Sequence, residues 1–84
     1  QEYYLGIISE RRAKSQYHQG TPGSGHLAYE GIKTAMAHYE RAEKVRPVGN
    51  DDALLRWNAC ARLLMHSPDI RPEAAPTSEP VELE

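Results

Sequence analysis

The segment Ala35-Met36-Ala37-His38-Tyr39-Glu40-Arg41-Ala42-Glu43-Lys44-Val45-Arg46-Pro47 decides how this chain is read. Ala35, Tyr39 and Ala42 stand at i, i+4 and i+7, on one face of a helix. Two small residues let a neighbouring backbone come close, and the ring between them fills the space that is left. Pro47 has no amide hydrogen with which to continue the ladder, so the helix ends before it. The segment predicts a helix made to be stacked against other helices.

Upstream, Leu27, Ala28, Gly31 and Ile32 prolong the same stripe, and a turn-rich run from Gly20 to Gly25 precedes it. This run reads as a loop, with Thr21 or Ser24 as the oxygen that caps a helix over about residues 24–46. Before the loop, residues 2–18 contain no proline. There Tyr4, Ile8, Arg11 and Ser15 form one stripe, with Tyr3, Ile7, Lys14 and Tyr17 beside it. Gly6 costs roughly 1 kcal/mol of helix propensity against Ala, so it marks a place of close packing. Downstream, Gly49-Asn50-Asp51-Asp52 supplies a stop and a fresh cap, with acids at the positive end of the next helix. Ala53, Leu54, Trp57, Cys60, Ala61, Leu64 and Met65 give that third helix, over about 51–66, a wide apolar face.

From Ser67 the character changes. Pro68, Pro72, Pro76 and Pro80 recur among Glu, Ala, Thr and Ser, and residues 67–84 read as an acidic, disordered tail to a helical domain of residues 1–66. The fold class expected is all-α: three antiparallel helices plus the tail. About 65 residues make a small core, so the domain is expected to lean on a second copy or on more of the same chain.

The pattern Ala35-x3-Tyr39-x2-Ala42-x4-Pro47 resembles the second helix of a tetratricopeptide repeat. Leu5-Gly6 is similar to the Leu-Gly pair of that family's first helix, although Glu2 and Ser9 stand where the family has tryptophan and tyrosine. Asp52 to Ala59 looks like the opening of a following repeat. The resemblance covers residues 2–66, about one and a half repeats, and implies a protein-binding scaffold.

Asn58 and Arg62 lie one turn apart, so their donors can converge on one carboxylate or carbonyl; they can equally cap a local backbone group and face water. The resemblance implies the first use. In that family the first helices of successive repeats line an inner groove that grips extended peptides, which carries Asn58, Arg62, Tyr3 and Ile7 over as partner-binding residues. An array stopped after one and a half repeats leaves a helix face uncovered, so Tyr4, Ile8, Leu54, Trp57 and Leu64 form a candidate oligomer face. The alternative function is therefore a self-associating structural module without a separate ligand.

Other classes find less support. The chain has 84 residues, 39% hydrophobic and 26% charged, with a formal net charge of −2. Residues 1–67 hold nine bases and seven acids. Arg11, Arg12, Lys14, Lys33, Arg41, Lys44 and Arg46 are interleaved with Glu30, Glu40 and Glu43, which argues against nucleic acid. His18, His26, His38 and His66 show no metal-ligand spacing, so no metal and no cofactor are expected. His38 with Glu30 or Glu40 could be drawn as an acid–base pair, but no nucleophile or phosphate loop accompanies it, and an enzyme is not expected. No apolar run approaches the roughly 18 residues of a membrane span, so a soluble chain is expected. The single Cys60 forms no internal disulfide and leaves the compartment undecided. A cytoplasmic location is favoured, and a start at Gln1 leaves export after signal removal open.

Overall fold

A computed structural model describes residues 1–72. They form three α-helices, α1 (Glu2–Gln19), α2 (Ser24–Lys44) and α3 (Asp52–His66), with no strand among the described residues. The fold is all-α. Helices α1 and α3 both pack on α2. Contacts fix the directions: Glu2 meets His38 and Ala13 lies by Gly31, so α1 and α2 run antiparallel. Likewise Trp57 reaches back to Glu40 from α3.

The stripe read from the second helix is the centre of the core. Ala35 and Tyr39 are fully buried, and Ala42 packs at the edge of the same cluster with Ile32, Met36, Ala53 and Cys60. Gly6 earns its place against Tyr39: a Cβ there would lie 2.5 Å from the ring. Gly31 does the same for Ala13, whose Cβ would be 2.7 Å from an added methyl. Gly31 thus lets the α1 backbone come close to α2, whereas Gly6 makes room for the Tyr39 ring.

On α1 the buried face differs from the expected stripe. Gly6, Glu10 and Ala13 are buried, flanked by Tyr3 and Ile7, whereas Tyr4 is 62% exposed and Ile8 faces water beside it. The reason is the close contact of Gly6 with the Tyr39 ring and of Ala13 with Gly31. Small residues can be pressed against α2, and that rotation turns the bulkier Tyr4 and Ile8 outward.

The ends of the helices use backbone more than side chains. Gly20 and Gly23 adopt positive φ (70° and 82°) at the two sides of the α1–α2 loop, a conformation that only glycine takes without strain. Gly23, rather than Thr21 or Ser24, occupies the cap position of α2. Helix α2 stops at Lys44. Between α2 and α3, Arg46 clamps the turn by reaching Glu43 (2.6 Å) and Asp51 (2.9 Å), and Asn50 Oδ1 accepts from the Asp52 amide (3.0 Å).

Residues 67–72 belong to the fold. The chain turns at Ser67–Ile70 and inserts Ile70, 4% exposed, beside Ala13, Ala28, Ile32 and Leu63. Tyr17 Oη donates to Asp69 Oδ2 (2.6 Å), and the Asp69 carbonyl rests on Gly25, where a Cβ would come within 2.1 Å. The expected boundary at residue 66 therefore falls short, because a single apolar residue after Pro68 found a hole to fill. The remainder of the expected tail, residues 73–84, lies outside the described residues.

Candidate functional site

The most unusual feature of the interior is a carboxylate. Glu10, one turn before Lys14 on α1, is 5% exposed. A buried charge must be paired and hydrogen-bonded to persist. Glu10 Oε1 accepts from Tyr39 Oη (2.7 Å), and Oε2 accepts from Lys14 Nζ (2.7 Å). The Arg56 guanidinium of α3 stands 3.7 Å from Oε1. Burial is the largest influence on Glu10 and pushes its pKa up. The Lys14 and Tyr39 hydrogen bonds and the Lys14 and Arg56 charges outweigh it, so the acid is held below its ordinary value of 4.5. Burial in turn raises Tyr39, reinforced by Glu10, and keeps the phenol protonated as the donor.

Arg56 is the link from this floor to the surface. Its Nε donates to Tyr3 Oη (3.0 Å), and its Cζ lies 5.9 Å from the Tyr3 ring centre. The side chain is 42% exposed. Held at Nε by Tyr3 and attracted by Glu10, the planar fork has a fixed orientation and keeps donors for a further acceptor. Ile7 lies one turn along from Tyr3 on α1 and packs against the core cluster. Toward the other end, Lys14, Tyr17, Leu63 and Ile70 border a pocket of about 160 Å³. The seam formed by the facing sides of α1 and α3 thus carries two cations, Lys14 and Arg56, against one buried anion.

The expected residues are only partly brought together. Tyr3 and Ile7 flank this seam. Asn58 follows Arg56 by two positions, about 200° around the helix, and so faces away from α1. Arg62 is exposed, and neither residue makes a side-chain hydrogen bond or ion pair among the described residues. The cation that meets Tyr3 is Arg56. It could have been suspected from its place at i+3 from Ala53, on the flank that also holds Leu63. Glu10 left a weaker trace: a tyrosine in the middle of a small-residue face needs a partner for its hydroxyl.

The candidate oligomer face divides into two surfaces. Tyr4 and Ile8 lie on the outer side of α1. Leu54 and Trp57 instead line a shallow depression of about 430 Å³ between α2 and α3, with Tyr39, Glu40, Glu43, Lys44 and Ala53. Trp57 also packs on the core and donates from Nε1 to Glu40 (2.9 Å), and Leu64 packs on the core. His38 meets neither Glu30 nor Glu40. Its Nδ1 lies 2.6 Å from Glu2 Oε1, which Arg41 Nε also approaches at 3.2 Å. Among the described residues there is no cluster of three metal-ligating side chains, and no helix is long and apolar enough to cross a membrane.

Compared with protein-family models, curated proteins and solved structures, the chain has no match in any of the three.

Proposed function

We propose that the protein is an interaction scaffold that holds a segment of a partner protein along the seam between α1 and α3. The observation that carries this reading is the fixed Arg56 fork, anchored by Tyr3 Oη and drawn by buried Glu10 while much of the side chain remains open to solvent. Orienting a long cation in advance reduces the ordering cost of binding, and a partner carboxylate or backbone carbonyl is the group it would meet. Tyr3 and Ile7 would supply apolar contact on one side and Leu63 on the other. The tetratricopeptide-like pattern of residues 35–47 supports the same reading, since it implies a scaffold whose first helices line a groove.

Capture of proteins from a lysate by the full chain, repeated with Arg56→Ala and with the double variant Asn58→Ala/Arg62→Ala, tests the assignment. Loss with Arg56→Ala and retention with the double variant is the expected result. Equal capture by all three proteins overturns it.

A second reading is self-association. It is favoured by the exposure of Tyr4, Ile8 and Leu54, three large apolar side chains on a small domain.

A further inference from the structure

After Ile70 the chain comes out against the first turn of α2. The Asp69 carbonyl rests on Gly25, and the Arg71 carbonyl oxygen lies 3.1 Å from His26 Nδ1. From His26 a stripe runs the length of α2: Lys33 and Glu40 follow at i+7 and i+14, with Ala37 and Lys44 beside them. On α3, Leu54, Asn58 and Met65 share a second stripe, edged by Arg62. The hydrogen bond from Trp57 to Glu40 sets these antiparallel stripes side by side, and the depression holding Leu54, Trp57 and Lys44 lies at the far end. Leu54 is 42% exposed and Met65 76%. The acids here are satisfied, since Glu43 pairs with Arg46 and Glu40 accepts from Trp57. The bases are not: Lys33, Lys44 and Arg62 are exposed and make no ion pair among the described residues.

We propose that residues 73–84 of the same chain dock along this α2–α3 groove, with Val81 and Leu83 over Leu54 and Trp57. Charge and length both support this occupant. The segment carries Glu73, Glu79, Glu82 and Glu84 and no base, which complements Lys33, Lys44 and Arg62. From His26 to Lys44 the groove extends about 27 Å at roughly 1.5 Å of helix per residue. A proline-spaced chain covers roughly 3.1 Å per residue, so Val81 and Leu83 reach about 28 and 34 Å beyond Pro72. The segment's two large apolar residues therefore arrive at the apolar end of the groove, and Glu79 and Glu82 bracket Val81 where Lys44 stands. Lys33 and Arg62 lie along the way. Being tethered, the segment faces the groove at an effective concentration of about millimolar, so a few modest contacts suffice to hold it. Docking there leaves the α1–α3 seam open, and this proposal is independent of the one made for the seam.

Trp57 is the single tryptophan of the chain and reports on the groove directly. Acrylamide quenching of its fluorescence is compared between the full wild-type chain, Val81→Asp/Leu83→Asp and Lys33→Glu/Arg62→Glu. The first pair lies outside the helices and the second is exposed, and unchanged helical circular dichroism confirms that both variants are folded. Loss of a tethered contact should raise the quenching constant about twofold in the apolar variant and in the same direction in the charge variant. Diluting the wild type should leave its quenching unchanged, since the segment belongs to the same molecule. Quenching that is the same as wild type in either variant overturns the proposal. Protection that fades on dilution also overturns it, because the groove is then covered by another copy.

Discussion

Tyr39 Oη donates a 2.7 Å hydrogen bond to Glu10 Oε1 across the α1–α2 interface, with the tyrosine fully buried and the carboxylate nearly so. The bond joins the packing centre of the fold to its only buried acid among the described residues. Its worth lies chiefly in what its loss would leave behind. Removing the hydroxyl strands a buried acceptor, so Tyr39→Phe is expected to cost about 1 to 3 kcal/mol, read from urea unfolding. A neutral change in stability would show that Lys14 and Arg56 satisfy Glu10 without it.

Acid should weaken the fold through the same carboxylate. Glu10 has a lower pKa in the folded chain than its ordinary 4.5, so its contribution is complete above that value and disappears as pH falls through the folded one. Urea midpoints taken from about pH 7 to about pH 3 should decline more steeply in the wild type than in Glu10→Gln. Parallel curves would place the acid sensitivity elsewhere, for example at Glu2, whose pKa is lowered first by its hydrogen bond with His38.

Gly6→Ala tests the close approach of α1 and α2. Alanine favours helix by about 1 kcal/mol, but its methyl would press on a ring held in place by Glu10, and overpacking of this kind costs about 1 to 3 kcal/mol. A net loss in thermal stability is expected. A gain would mean that the Tyr39 ring moves aside freely.

The returning segment after α3 should contribute measurably. Ile70→Ala is expected to cost about 2 kcal/mol or more in chemical denaturation. Gly25→Ala should release the same segment, because the obstructing atom is the Asp69 carbonyl and backbone cannot swing away as a side chain does. Faster proteolysis near Ser67 in both variants is the confirming measurement, and unchanged cleavage would count against the docking of Ile70.

Cys60 should be inert in the folded chain. Burial first, then the negative charge of Glu10, pushes its thiol up to about 12, which leaves almost no thiolate near neutrality. Labelling by a thiol reagent at about pH 8 should be slow until urea is added. Rapid labelling without denaturant would show that α3 separates from α1 and α2 in solution.

Part of the candidate site was legible in the chain and part was not. Tyr3 and Ile7 could be placed on a helix flank from spacing alone. Asn58 and Arg62 were the natural choice on α3 because they sit one turn apart, yet Arg56 is the residue that meets Tyr3. Periodicity says which side of a helix is apolar; it does not say which flank of that side faces a third helix. Glu10 was hidden for a related reason. Its burial depends on Tyr39, 29 positions away, and on Arg56 from α3, and a glutamate among Ser9, Arg11 and Arg12 has the local character of a solvated residue.

What the sequence by itself determined is the set of helices and the packing side of the central one. Local spacing, proline stops and glycine turns act within a few residues and need no knowledge of neighbours, so Ala35 and Tyr39 could be assigned to the core in advance. Only tertiary structure decided how α1 is rotated, which cation meets Tyr3, and that Ile70 is buried beside Ala13 and Ile32. Those outcomes depend on steric fit between segments far apart in the chain: Gly6 admits the Tyr39 ring, Ala13 sits against Gly31, and these contacts fix which of the remaining side chains are turned inward or left in water.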